Sequence, residues 1–373
     1  VSAAFIVFGV ELPWIYPLAF ELAQHHPTVG ISLGASRWPR RPRSWPFDDS
    51  TGRLSRENWL YPPGFNRTFA TIFDRPIRAR LNRAMRRLRR EGAAAPYVIV
   101  PEPALLNYVA DVDGSRLIYW NYDDYGLKKA VQEEALVSRA TSILCSSLYQ
   151  TNRFRERFPR KVDAIRHFPH GVHEAFINPE PDRPPDARTV CSVGRLTSRN
   201  DWTLIDEVVG RLPDVTFRFI GDVELVTRAT SGERWRDSLR QVLARSNVQH
   251  VAGLKHCDTA PHYWRSAMNW VPYLSEQAFV KASCPLRLSD GLGSGRPIVS
   301  ADVPECRLYP DWISIYQNAD RAVATIRDLL DPSYVASRDA GAQVAFARRH
   351  TWASRARQLF RILAGEPFPE PAW

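Results

Sequence analysis

The sequence predicts an α/β protein made of two doubly wound, Rossmann-like halves. Three observations carry that prediction. The chain has 373 residues, more than a single hydrophobic core usually accommodates. Short apolar runs, several rich in Val and Ile, alternate with helix-period segments almost from end to end, the pattern of a mostly parallel sheet with helices on both faces. The alternation is interrupted at Pro179–Asp186, where Pro179, Pro181, Pro184 and Pro185 fit neither a helix nor a central strand.

In the first half, Phe5–Val10, Val29–Leu33, Tyr97–Val100, Leu117–Trp120, Ser142–Cys145 and Ala164–Phe168 read as buried strands. Ile15–His25, Arg75–Glu91, Leu127–Arg139 and Leu148–Phe158 read as the helices between them. The stretch Ser36–Phe69 has weak periodicity and many Arg, Pro and Trp residues, and reads as a long functional loop or acceptor lid. In the second half the strands are Thr189–Val193, Thr216–Ile220, Val248–Ala252, Trp270–Leu274, Pro297–Ser300 and Ile313–Tyr316. Its helices are Thr203–Leu212, Glu233–Arg245, Pro261–Met268, Leu286–Gly293 and Ala319–Leu330, with a last helical stretch over Ser333–Leu363. The expected domains are therefore a Rossmann-like domain over 1–172, a linker over 173–188, a second Rossmann-like domain over 189–345, and a helical segment over 346–373 that returns to the first domain.

Composition narrows the class. Hydrophobic residues make up 44% and charged residues 24%, the balance of a globular protein. No run reaches the roughly 18–20 apolar residues that cross a bilayer. The apolar start, Val1–Gly9, lacks a basic leader and is interrupted by Glu11 and Pro13, so it reads as a first strand and not a signal peptide. The five scattered cysteines show no Cys-x-x-Cys spacing and read as reduced and structural, as in a cytoplasmic protein. His25-His26 ends a helix and has no third ligand at metal spacing, so no metal site is expected. Net charge is +10, carried mostly by Arg. Arg75, Arg78, Arg80, Arg83, Arg86, Arg87, Arg89 and Arg90 crowd one helix whose apolar stripe is Leu81, Ala84, Met85 and Leu88. That helix, 75–90, fits an anionic membrane surface, and a solvated face fits it as well. No nucleic-acid module accompanies the charge, so no nucleic-acid partner is expected.

In doubly wound sheets ligands bind beyond the carboxyl ends of the strands. Gly194-Arg195, Gly221-Asp222 and Gly253-Leu254 each follow a strand of the second half. Gly194 permits close backbone approach, and Arg195 suits a diphosphate. In Ser283–Pro304, Pro285 opens a helix whose first N–H groups suit an anion, Arg287 adds positive charge, and Asp290 can accept from a ribose diol. Arg287 and Asp290 stand at i, i+3 and can instead pair with each other. In the first half, Glu102, Asp123 and Asp124 follow strands, where a carboxylate can orient or deprotonate an acceptor hydroxyl. Asp123 and Asp124 also suit helix N-caps. Tyr119, Trp120, Tyr122 and Tyr125 can stack on sugar rings or simply pack.

The segment Pro285–Val299, followed by Pro304-Glu305, resembles the nucleotide-sugar segment of retaining glycosyltransferase family 4. Tyr119–Tyr125, Glu133–Ser147, Phe168–Phe176 and Asp201-Trp202 are similar to segments of its bacterial teichuronic-acid and exopolysaccharide enzymes. The resemblance spans about Arg116–Glu305. It implies a GT-B fold, two Rossmann-like domains facing a central cleft. It also implies a cytoplasmic enzyme, peripheral at the inner face of the membrane, acting in polysaccharide biosynthesis. The donor would be a nucleotide sugar and the acceptor a glycan or lipid-linked saccharide, with retention of configuration and no cofactor or metal. The implied donor residues are Gly194, Arg195, Arg199, Gly221, Gly253, Leu254, Ser283, Pro285, Leu286, Arg287 and Asp290. Asp123 and Asp124 fall near the active site, with Glu102 and Tyr122 on the acceptor side. The chain departs from the pattern at Ala282, where a first carboxylate is usual, at Arg287 for Lys, at His170 for Asn and at His173 for Asp. A sugar-nucleotide epimerase of the same fold and, further off, a basic nucleic-acid-binding protein are the alternatives.

Overall fold

A computed structural model of the chain describes residues 3–35, 52–61, 70–93, 95–126, 129–224 and 233–366. It divides into two compact units, one formed by residues 1–169 and 352–373 and the other by residues 170–351.

The first unit contains β1 (Phe5–Phe8), α1 (Tyr16–His25), β2 (Thr28–Ala35), β3 (Ser55–Tyr61), α2 (Ala70–Arg90), β4 (Tyr97–Val100), β5 (Leu117–Asn121), α3 (Ala130–Arg139), β6 (Ser142–Cys145), α4 (Leu148–Arg157) and β7 (Ile165–His167). All strand pairs are parallel, in the order β3-β2-β1-β4-β5-β6-β7. The central strands are apolar on both faces because helices cover both. Ile6, Val98, Leu117 and Ile143 meet Ile77, Leu81 and Leu88 of α2 in one core.

The second unit contains β8 (Asp186–Val193), α5 (Trp202–Arg211), β9 (Thr216–Ile220), α6 (Glu233–Leu243), β10 (Val248–Val251), α7 (Ala260–Arg265), β11 (Ser266–Val271), α8 (Ala278–Ala282), α9 (Leu286–Gly293), β12 (Ile298–Ala301), β13 (Ile313–Tyr316), α10 (Ala319–Leu329), α11 (Pro332–Ser337) and α12 (Ala340–Arg349). Its parallel sheet runs β10-β9-β8-β11-β12-β13, so the strand order reverses between β8 and β11. Trp202, Phe217, Phe219 and Trp270 build its core. A last helix, α13 (Trp352–Leu363), packs in the first unit, where Trp352 meets Trp120 edge-on and Phe360 meets Phe5.

Four expectations need correction. Ser36–Phe69 is not one loop, because Ser55–Tyr61 is the edge strand β3, in register with β2 from Val29↔Ser55 to Ala35↔Tyr61. Its charged sequence hides the usual alternation, and residues 36–51 and 62–69 lie outside the described residues. Residues 173–188 do not form a free linker. The Asn178 side chain donates to the Ser294 carbonyl at 2.9 Å, Arg296 donates to the Arg183 carbonyl at 2.6 Å, and β8 begins at Asp186. Ser333–Leu363 is three helices, with Asp331 and Asp339 capping α11 and α12 through Ser333 and Ala342 N–H groups. The strand expected at Trp270–Leu274 instead starts at Ser266, its polar residues Ser266 and Asn269 being buried and bonded to the His262 carbonyl and the Ser294 hydroxyl.

Helix α2 has its apolar stripe turned inward. Ile77, Leu81, Ala84 and Leu88 are buried, and Met85 packs against them. A helix lying in a membrane interface inserts its apolar face, and here that face belongs to the protein core. Only the arginine face remains for an outside partner.

Candidate active site

The second unit's sheet reverses direction of winding between β8 and β11, the position where doubly wound folds leave a crevice. The loops leaving β8 and β9 are drawn together there. Gly194 N–H donates to the Ile220 carbonyl at 2.8 Å, Leu196 N–H to the Asp222 carbonyl at 3.0 Å, and Gly253 N–H to the Asp222 carboxylate at 2.8 Å. Gly221 has φ +144° and lies against the Gly194 carbonyl, so a side chain there has no room.

Arg287, in the first turn of α9, points into this crevice. Its Nη1 donates to Ser192 Oγ at 3.4 Å, its guanidinium lies 4.6 Å from the centre of the Tyr273 ring, and it packs on Gly194 closely enough that a Cβ there would stand 2.5 Å from Nη2. Ser192 and Gly194 come from the end of β8 and Tyr273 follows β11, so the cation sits at the reversal point itself. Arg287 is only 7% exposed, yet it pairs with no carboxylate among the described residues. Burying an uncompensated charge is costly, several kcal/mol per ion on the order-of-magnitude scale. A site that keeps such a charge is suited to an incoming anion. The α9 N-terminus adds to it: Pro285 is the N-cap and no side chain caps the helix, leaving its first N–H groups for a ligand.

The expected alternative, an ion pair between Arg287 and Asp290, does not form. Asp290 is buried and instead meets His256 Nε2 at 2.9 Å. Burial pushes the Asp290 carboxyl upward, and His256 opposes that shift. Phe176 stacks edge-on against His256 and His173, with centroids at 4.8 and 6.5 Å. His173 accepts from Ala175 N–H through Nδ1 at 3.1 Å, which requires that nitrogen unprotonated. Burial, and then the neighbouring His256, lower its pKa from 6.5 to about 4. A depressed folded-state pKa gives stability that is complete above the unfolded value and is lost as pH falls toward the folded one. Denaturant titrations should therefore show a loss of about 2 kcal/mol between about pH 6.5 and about pH 5. His173→Gln should flatten that slope.

The other predicted donor residues are placed unevenly. Arg195 is exposed on the loop after β8. Arg199 lies 3.7 Å from the Phe279 ring centre. Leu254 is 38% exposed beyond β10. Ser283 donates its hydroxyl to the Val280 carbonyl at 2.8 Å, closing α8, and Leu286 starts α9. Ala282 is buried where the resemblance expects a carboxylate. Ser192, Tyr273 and His256 were not foreseen, although each lies within a few residues of a strand end, the signal that singled out the glycines.

In the first unit, Asn121 at the end of β5 is fully buried and ties down the acidic loop. Its Nδ2 donates to the Asp123 carbonyl at 3.0 Å and to Tyr119 Oη at 3.1 Å. Tyr119 donates to Glu133 at 2.9 Å, and Glu133 pairs with Arg157 at 2.7 Å. Asp124 faces Arg153 at 3.4 Å and accepts from Gly126 N–H at 3.2 Å. Neither acid caps α3, which starts at Ala130 with Lys129 as N-cap. Tyr122 donates to Glu102 at 3.3 Å, and Lys129 stands 3.5 Å from the same carboxylate. Burial, then Glu102, raise the Tyr122 phenol, keeping it a donor. Tyr119 and Trp120 are fully buried, so they pack and cannot stack on a sugar.

Residues 199–361 match the family model described as glycosyl transferase-like. Sucrose-phosphate synthase from Thermosynechococcus elongatus superposes with a TM-score of 0.74 at 14% identity, covering 97% of this chain and 98% of that one. Anabaena Alr3699/HepE in complex with UDP and glucose superposes with a TM-score of 0.70 at 12% identity, covering 97% and 100%. Part of the chain is thus glycosyl transferase-like, and the fold is GT-B. A protein of Bacillus subtilis (strain 168) named as a teichuronic acid biosynthesis glycosyltransferase is 22% identical over 200 residues, 51% of this chain and 48% of its own. The match thus spans about half the length of that relative. The family-matched region of the GT-B chain includes Tyr273, Arg287, Asp290 and His256, while Ser192 and Gly194 lie just before it.

Proposed function

We propose that the protein is a glycosyltransferase that moves a sugar from a nucleotide-diphosphate donor to a glycan or lipid-linked acceptor in polysaccharide biosynthesis. The observation that carries the reading is the buried Arg287, which pairs with no carboxylate among the described residues, beside the uncapped N-terminus of α9 at the reversal point of the second sheet. Solved neighbours of the same fold bind UDP and UDP-glucose. In the transfer step the bond from the anomeric carbon to the diphosphate oxygen breaks, and its electron pair leaves with the diphosphate. Arg287, the α9 amides and Arg195 stabilise that developing charge. The acceptor oxygen bonds to the anomeric carbon and gives its proton to the departing diphosphate, which balances the step. Asp123 is our candidate for orienting that hydroxyl, because it follows β5 at the carboxyl edge of the sheet and Asn121 fixes its backbone there. Asp290 would hold the nucleotide ribose while His256 orients it.

The family likeness supports retention of configuration, and fixed positive charge at the diphosphate supports a step without metal or cofactor. No helix among the described residues is long and apolar enough to cross a membrane. The five cysteines carry no disulfide, which fits a cytoplasmic enzyme. The arginine face of α2 would then meet the inner surface of the cytoplasmic membrane by charge alone.

Incubation with a panel of nucleotide sugars and a polysaccharide-derived acceptor, followed by NMR of the product, tests the reading. We expect a new glycosidic bond with the donor's anomeric configuration and undiminished turnover in EDTA. Conversion of the nucleotide sugar to its epimer with no acceptor present would favour the epimerase instead.

A further inference from the structure

A cavity of about 380 Å³ lies in the first unit between the edge strand β3 and helix α2. Glu57, Asn58 and Trp59 line it from the strand, and Arg80, Arg83 and Arg87 from the helix. Residues 80, 83 and 87 fall on one helical face because they are spaced by three and four. The lining has three arginines and one glutamate, a formal charge of +2. Glu57 is divided between two partners, accepting from Trp59 Nε1 at 2.8 Å and facing Arg87 at 3.3 Å. Arg87 is held further by Ser55 Oγ at 3.0 Å. Arg80 lies 5.7 Å from the Trp59 ring centre, and Arg83 pairs with no carboxylate among the described residues. Pockets of this size take small molecules, and Arg forks recognise carboxylate and phosphate oxygens.

We propose that this cavity is a second oxyanion site, distinct from the one at Arg287, and that it holds an acidic group, carboxylate or phosphate, borne by a saccharide. Arg80, held over the buried Trp59 indole, gives a sugar ring a planar guanidinium wall, and Arg83 with Arg87 receives the oxyanion. The saccharide half of this assignment rests on the glycosyl-transfer reading, whereas the oxyanion half does not.

Calorimetric titration of the full chain with a galacturonate trisaccharide, tripolyphosphate and maltotriose tests it. At least one of the two anions should bind, and which one does identifies carboxylate or phosphate as the group recognised. Maltotriose should not bind. Arg83→Glu should weaken the anion about tenfold or more, and Arg83→Gln should fall between it and the parent. Arg90→Glu makes the same charge change on the same helix outside the cavity, and should alter affinity less than about twofold. UDP titrated into the same variants reports on the donor site separately, and should be unaffected. The proposal is overturned if neither anion binds, if maltotriose binds as well as they do, or if Arg83→Glu and Arg90→Glu lose affinity equally. That last result would assign the charge to a diffuse surface suited to anionic membranes.

Discussion

Replacing Arg287 with alanine should lower sugar transfer by about 10²–10³-fold and remove the thermal shift produced by a nucleoside diphosphate. The expectation follows from where the guanidinium is and what it lacks. It is nearly buried, held by Ser192 Oγ and the face of Tyr273, and no acid among the described residues balances it. Its contribution to stability should consequently run the opposite way from that of a buried ion-pair arginine. Removing one member of a buried pair strands the other and costs about 3–5 kcal/mol. Here no carboxylate is stranded. Arg287→Met, which keeps most of the side-chain volume, should be at least as stable as the parent in urea while failing to bind nucleotide. A variant that lost both stability and binding would mean that Arg287 has a structural role.

Gly221→Ala should destabilise the protein by about 3 kcal/mol or more. Two causes combine at this position. The backbone has φ +144°, which side-chain-bearing residues rarely adopt, and the added Cβ would sit 2.7 Å from the Gly194 carbonyl carbon. The β8 and β9 loops would have to separate, and Arg287 rests on one of them. Gly253→Ala is the matched control. Its φ is also positive, at +76°, but nothing lies within 4 Å of the new methyl, so it should cost only about 1 kcal/mol. Equal losses in the two variants, measured by denaturant unfolding, would show that close approach of the loops contributes nothing.

Most of the fold could be read from the residues. Apolar runs such as Tyr97–Val100 and Ser142–Cys145 are strands with the expected bounds, because burial on both faces leaves an unmistakable apolar signature. Strand β3 was missed for the complementary reason: at a sheet edge, Ser-Arg-Glu-Asn can remain solvated and the periodicity weakens. The site was only partly readable. Arg287 stood out because it lies at a helix start, but the absence of a pairing with Asp290 depended on His256, thirty-four residues away in sequence. Local spacing could not choose between those partners. Likewise, Tyr119 and Trp120 sit beside the acidic loop in sequence, and only the alternation of faces in β5 and the packing of Trp352 show that they are core.

The central claim is that the Arg287 crevice binds a diphosphate. Isothermal titration of UDP, and of the other nucleoside diphosphates in turn, into the parent and Arg287→Met proteins without added metal tests it most directly. At least one nucleotide should bind the parent with one-to-one stoichiometry and should not bind the variant measurably. Equal affinity of parent and variant, or no heat with any nucleotide in the parent, would contradict it.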